Sequence, residues 1–97
     1  MYAKNAVHFL KISGEIAGNK EKEFKQTVQF VFNQLPAECI EHNLSEDVHN
    51  GRSFFVSFRW SNETSLLKFM RTADYQLITG AFTVLGRLAK SEHGEIV

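Results

Sequence analysis

One continuous stretch decides the fold: FFVSFRW over residues 54–60, followed directly by SNETSLLKFMRTADY over residues 61–75. The first part has the residue types and alternation of a β-strand, and it ends on Trp60, the only tryptophan. The second part places Leu66, Leu67, Phe69 and Met70 at helical spacing behind Ser61, which is a predicted N-cap. A strand that ends on Trp60 and passes into an amphipathic helix indicates an aromatic side chain held beneath that helix.

The segments before this stretch predict a strand, a helix and a second strand. Val7–Ile16 alternates as a strand, with His8, Leu10, Ile12 and Ile16 on one face. Asn19 is the predicted cap of a helix that starts at Lys20 and is stopped by Pro36. The apolar stripe of this helix is Phe24, Val28, Val31, Phe32 and Leu35.

A hairpin and a broken helix complete the pattern. Residues 39–48 and 53–60 are predicted strands joined by a turn at Asn50-Gly51, the strongest hairpin dipeptide present. After Met70, Thr72-Ala73-Asp74 is a predicted break or re-cap, after which the helix continues from Tyr75 to Leu85 and would end at Gly86. Residues 92–97 would supply a short last strand.

This order, β-α-β-β-α-β, predicts an α+β, ferredoxin-like fold: a four-stranded antiparallel sheet with helices on one face. The whole chain, residues 1–97, forms a single domain at this length. The bare face would carry either the Phe54, Val56, Phe58 and Trp60 set or the Phe55, Ser57 and Arg59 set. Because an aromatic sheet face is seldom left in water, a second copy of the chain or a ligand is expected to cover it.

Composition narrows the function classes. The formal net charge is zero, with 11 basic and 11 acidic residues, so the basic footprint of a nucleic-acid-binding protein is missing. No apolar run approaches the length of a membrane span, and the N-terminal residues do not resemble a signal peptide. A single cysteine, Cys39, favours a reducing cytoplasm. No His, Cys and carboxylate spacing predicts a metal site.

The segment from Trp60 to Tyr75 resembles the antibiotic biosynthesis monooxygenase family. The residues in register with the family pattern are Trp60, Glu63, Leu66, Thr72 and Tyr75. Gly18 with the following EKEF, and Cys39-Ile40-Glu41 with Asn43-Leu44, are similar to earlier parts of the family pattern. The resemblance implies a homodimeric α+β barrel in which two ferredoxin-like sheets pack face to face. It also implies oxidation of quinols or hydroxylated aromatics without a cofactor, or haem degradation in some relatives.

Two departures from the family pattern bear on that chemistry. Family members often carry histidines at the positions of Phe69 and Asp74 in this chain. Haem-degrading relatives need such a histidine as an iron ligand, so we expect no haem and no other cofactor here.

The candidate site residues follow from this interpretation. Trp60, Tyr75 and His42 are the predicted catalytic residues, and Arg59, Phe69 and Met70 are the predicted substrate contacts. Three of these residues have a purely structural alternative. Trp60 would be a core or interface residue, Tyr75 would tie a helix to a strand, and Arg59 would be a sheet-edge or interface residue. His8 and His42 lie on strands and are alternative acid–base groups.

Two further functions stay open. One is a non-catalytic dimer that binds a small apolar ligand, or a structural relative of the family. The other is an RNA-recognition module, which has the same topology and carries stacking aromatics on its third strand. Phe55-Val56-Ser57-Phe58 matches only half of that module's pattern, and Gly51-Arg52-Ser53-Phe54 does not match the rest.

Overall fold

A computed structural model describes residues 7–96 as one antiparallel sheet with helices on one side. The strands are β1 (Val7–Ile16), β2 (Cys39–Asp47), β3 (Asn50–Trp60) and β4 (Gly86–Ile96). The helices are α1 (Glu21–Phe32), α2 (Glu63–Phe69) and α3 (Ala73–Leu85), and a 3-10 turn, Gly18–Lys20, precedes α1. The spatial strand order is β2-β3-β1-β4, and every neighbouring pair is antiparallel, so the predicted ferredoxin-like fold is confirmed.

The helices bury the Phe54 face of the sheet. Phe54, Val56, Phe58 and Trp60 are at most 1% exposed, whereas Phe55 and Ser57 are half-buried and Arg59 is exposed. The choice that the sequence left open is therefore settled. The other face, called the open face below, carries Phe9, Lys11, Phe55, Ser57 and Arg59 and has no helix of residues 7–96 on it.

Strand pairing aligns residues that lie far apart in the sequence. Trp60 is the pairing partner of His8 on β1 and of Cys39 on β2, and His8 in turn pairs with Glu95 on β4. Because directly paired residues point to the same face, these four side chains form one row on the helix side of the sheet. This row is named the Trp60 row.

Two predicted helix caps are displaced. Asn19 lies inside the 3-10 turn, where Lys20 N–H donates to Ala17 O at 2.8 Å, so α1 starts after Lys20 without a side-chain cap. At α2 the cap is Asn62 and not Ser61, because Asn62 is the last extended residue and its Oδ1 accepts from Ser65 N–H at 2.8 Å. Thr72 caps α3, so of the predicted break or re-cap at residues 72–74 the structure has the re-cap.

The hairpin turn also differs from the prediction. Asp47 pairs with Asn50, so the turn lies at Val48-His49 and Asn50-Gly51 belongs to β3. The turn that Asn-Gly favours needs positive φ angles, and none occurs at residues 7–96. Instead, Asp47 Oδ1 accepts from His49 N–H at 2.8 Å and Asn50 Oδ1 accepts from Arg52 N–H at 3.3 Å.

The last strand is longer than predicted. It begins at Gly86, directly after α3, and pairs with β1 as far as Ile96. Most of its side chains are exposed, so burial imposes no apolar alternation that a sequence pattern would reveal. Among residues 7–96, no helix is long and apolar enough to cross a membrane.

Candidate functional site

Trp60 is the centre of an aromatic cluster between sheet and helices. Its side chain is fully buried, and its ring lies 5.1 Å from that of Phe69 and 6.3 Å from that of Phe58. The indole Nε1 is buried as well and finds no acceptor among residues 7–96. A buried donor without an acceptor costs about 1–3 kcal/mol, so this N–H is the most unusual polar group of the cluster.

Helix α2 brings Phe69 over Trp60. Asn62 starts the helix directly after β3, and Leu66 and Phe69, three residues apart, turn inward together. The helix ends there: Thr72 Oγ1 donates to Phe69 O at 2.6 Å, and the same oxygen caps α3. The short helix and the immediate restart therefore place Phe69 at a defined point above the end of β3.

A cavity of about 280 Å³ opens beside Phe69. Its lining includes Gln34, Pro36, Glu38, Lys68, Phe69 and Asp74. It is named the Phe69 cavity. Phe69 itself is only 5% exposed, and its ring lies 5.1 Å from that of Trp60, so this side chain contacts both the cavity and the aromatic cluster.

The polar wall of the cavity is held by two long-range hydrogen bonds. Gln34 Nε2 donates to Asp74 Oδ1 at 2.8 Å, which ties the end of α1 to the start of α3. Ser61 N–H donates to Glu38 O at 2.9 Å, which ties the loop before β2 to the end of β3. The charged lining consists of the Glu38 and Asp74 carboxylates and the Lys68 ammonium group.

The structure brings three of the predicted site residues together. The ring of Phe69 contacts those of both Trp60 and Tyr75. It lies 5.1 Å from the Trp60 ring and 6.1 Å from the Tyr75 ring, which it meets edge-on. Met70 is half-buried and packs against the same core. The hydroxyl oxygens of Tyr75 and Ser91 lie 2.7 Å apart, at hydrogen-bond distance, so Tyr75 ties α3 to β4.

His42 lies at the opposite side of the cluster. Its ring packs at a tilt of 47° against that of Phe32, with 4.4 Å between the ring centroids, and Phe32 meets Phe58 edge-on at 5.7 Å. Phe58 therefore lies between His42 and Trp60, since it pairs with His42 and its ring is 6.3 Å from that of Trp60. The histidine that pairs directly with Trp60 is His8, half-buried on the neighbouring strand.

Arg59 is on the other side of the sheet from Trp60. It is exposed on the open face, where its Nε lies 3.0 Å from Glu41 Oε1 on β2. Beside this pair is a cleft of about 480 Å³ whose lining includes Phe9, Lys11 and Ser57. Arg59 and the Trp60 cluster thus belong to two separate places in the fold.

Sequence patterns could not have singled out the polar cavity residues. Gln34 and Glu38 come from the connection between α1 and β2, whereas Lys68 comes from α2 and Asp74 from α3. Each of these segments has the composition of an ordinary solvent-exposed surface. What these residues share is their position near the helix ends beside Trp60, which the sequence does not show.

Cys39 lies beside Trp60 in the Trp60 row, and burial raises the pKa of its thiol, which keeps the thiol protonated at neutral pH. No three His, Cys, Asp or Glu side chains within residues 7–96 converge in a metal-binding arrangement.

Solved structures share this architecture over almost the full chain. A conserved protein from Bacteroides thetaiotaomicron aligns at a TM-score of 0.78 with 18% identity, covering 96% of this chain and 100% of the other. That protein is described as a possible oxidoreductase. A protein provisionally named antibiotic biosynthesis monooxygenase from Nitrosomonas europaea gives 0.74 with 11% identity, covering 99% and 93%. One of the same provisional name from Caulobacter crescentus gives 0.75 with 10% identity, covering 95% and 89%.

These comparisons place the chain in the structural class that the sequence resemblance indicated. The fold is that of the antibiotic-biosynthesis-monooxygenase-like domains, a ferredoxin-like α+β fold. At these identities the likeness concerns the fold. No protein-family model matches the chain, and no curated protein matches its sequence.

Proposed function

We propose that the chain is a cofactor-independent oxygenase that acts on a quinol or another hydroxylated aromatic. The observation that carries this proposal is the buried Trp60 N–H, which lacks an acceptor among residues 7–96 and belongs to a ring 5.1 Å from that of Phe69, a lining residue of the Phe69 cavity. An aromatic substrate that displaces Phe69 would stack in the cluster and offer an oxygen to this donor. The names of the structural neighbours point to the same class of reaction.

The proposed chemistry follows from holding the substrate as an anion. Loss of a hydroxyl proton makes a quinol electron-rich enough to reduce dioxygen, and the Trp60 N–H stabilises the oxygen that carries the charge. One atom of dioxygen enters a ring C–H position, giving a hydroxyquinone, and the other leaves as water. The quinol thus supplies all four electrons, and no metal or flavin is required.

The first test is oxygen uptake with a panel of quinols. Trp60→Phe should lower the enzyme-dependent rate about tenfold or more, since a hydrogen bond to a charged oxygen is worth about 1.5–3 kcal/mol. Its stability should change little, because the loss of the unpaired N–H offsets the smaller ring. Uptake that does not depend on the protein, for every quinol in the panel, would refute the oxygenase.

Tyr75→Phe and Ser91→Ala form a matched pair in the same assay. If the Tyr75 hydroxyl only ties α3 to β4, both variants lose the same contact and should behave alike. A slower rate for Tyr75→Phe alone would show that this hydroxyl also meets the substrate.

The second candidate function is a non-catalytic domain that binds a small aromatic ligand. It is favoured by the fact that two predicted catalytic residues are engaged elsewhere: Tyr75 with Ser91, and His42 with Phe32. Under this function quinols bind and quench or shift the Trp60 emission, but dioxygen is not consumed. The two measurements together separate the candidates.

We also propose that a second copy of the chain covers the open face. Cationic side chains at its centre, Lys11 and Arg59, are flanked by Glu41 on one edge strand and Glu92 on the other. Such a face is complementary in charge to a copy of itself related by a two-fold axis. The family resemblance implies the same arrangement, a barrel in which two sheets pack face to face. A cytoplasmic location stays a prediction that rests on the single cysteine.

Light scattering coupled to size exclusion tests the dimer. The mass should be about twice that of the 11.1 kDa chain, and Ser57→Lys, which adds a charge at the centre of the open face, should halve it. Val84→Lys is the control because Val84 is 80% exposed on α3, away from the open face. A monomeric wild type would refute the barrel and make single-stranded RNA binding the next test.

A further inference from the structure

The Phe69 cavity contains one carboxylate whose orientation is set by the fold. Asp74 lies in the first turn of α3, half-buried, and Gln34 holds its Oδ1 at 2.8 Å across forty residues of sequence. The second carboxylate oxygen makes no hydrogen bond or ion pair to any residue of 7–96. Asp74 therefore presents a fixed acceptor at the cavity that Phe69 also lines.

The charges of the lining limit what this acceptor can bind. Glu38 and Asp74 outnumber Lys68, so the cavity has an excess of negative charge. An aromatic carboxylate would meet two like charges, whereas a neutral hydroxyl can donate to Asp74 without that repulsion. Methylation of the hydroxyl would remove the donor and leave Asp74 facing an ether oxygen.

We propose that Asp74 binds the hydroxyl group of the substrate and accepts its proton, with Gln34 as its positioning residue. This inference rests on the proposed function and names its substrate class: neutral aromatics with a free hydroxyl, in preference to their ethers and to hydroxybenzoates. The proton moves from the substrate oxygen to the free oxygen of Asp74, and the substrate keeps the electron pair as a phenolate. The ring faces Phe69 and, once Phe69 moves aside, Trp60.

Binding of catechol and of veratrole, its dimethyl ether, separates this role from a structural one. Wild type should bind catechol about tenfold or more tightly than veratrole, measured by calorimetry or by Trp60 emission. Asp74→Asn should abolish most of that preference while veratrole binding stays the same. Gln34→Leu should reduce the preference in the same direction, because the carboxylate loses the bond that orients it.

Glu38→Gln is the matched control, since it removes a carboxylate from the same cavity and should leave the preference for catechol intact. Equal affinities of wild type for catechol and veratrole, or an equal loss of both in Asp74→Asn, would overturn the assignment. Oxygen uptake tests the proposed function independently of Asp74. A preference for catechol without oxygen uptake would refute the oxygenase and keep Asp74 as a binding residue. Oxygen uptake without a preference for catechol would refute the role of Asp74 and keep the oxygenase.

Discussion

Replacement of Gly86 by alanine should lower the free energy of unfolding by about 3 kcal/mol, at the upper end of overpacking effects. A loss of that size would leave a measurable fraction of the protein unfolded. Gly86 begins β4 directly after α3, where β4 lies so close to β1 that an added Cβ would overlap the backbone oxygen of Glu15. The clash is with backbone, which cannot move without breaking the β1–β4 ladder. Urea unfolding followed by circular dichroism measures the loss.

Gly80→Ala provides the matched control in the adjoining helix. Gly80 lies inside α3, and a Cβ there meets nothing within 4 Å. Alanine should therefore stabilise the protein by about 0.5–1 kcal/mol, the usual difference between the two residues in a helix. If Gly86→Ala were as stable as wild type, the close approach of the β1 and β4 backbones at Gly86 would be contradicted.

Phe69→Ala should destabilise the protein by about 3–5 kcal/mol, as expected for a buried phenylalanine. It should also join the Phe69 cavity to the space around Trp60, because Phe69 lines that cavity and packs against Trp60. Toluene should then bind, raise the melting temperature and change the emission of the only tryptophan.

Phe24→Ala separates a new ligand space at Trp60 from a cavity elsewhere in the core. Phe24 is buried against Phe54 and Phe82, at ring distances of 5.3 and 4.7 Å, whereas the aromatic partners of Phe69 are Phe58, Trp60 and Tyr75. A similar loss of stability is expected, but toluene should leave the Trp60 emission unchanged. Toluene binding to Phe69→Ala with no change in emission would show that the two spaces do not join.

The order of strands and helices was predictable because local patterns carry it. Alternation in residues 54–60, helical spacing from Phe24 to Val31, and Thr72 as a cap each express a preference of a short segment. The errors fell where backbone bonding outweighed local preference: the hairpin turn at Val48-His49, and the polar strand β4.

The site was only half predictable. Trp60 and Phe69 stood out as large apolar side chains at the junction of strand and helix, and the structure packs them together. His42 and Arg59 were equally plausible from their residue types, yet His42 packs against Phe32 and Phe58, and Arg59 lies on the opposite face of the sheet. Asp74 attracted notice only as a departure from the family pattern, and its orientation by Gln34 depends on a contact between two helices.

The sequence by itself therefore determined the ferredoxin-like element order, the aromatic centre at Trp60 and the neutral charge, because each is a property of composition or of neighbouring residues. The tertiary structure alone decided which face of β3 the helices bury, since alternating strands offer two apolar faces and only packing chooses between them. It also decided that His8 and Cys39 flank Trp60, because strand pairing joins residues that no sequence window contains.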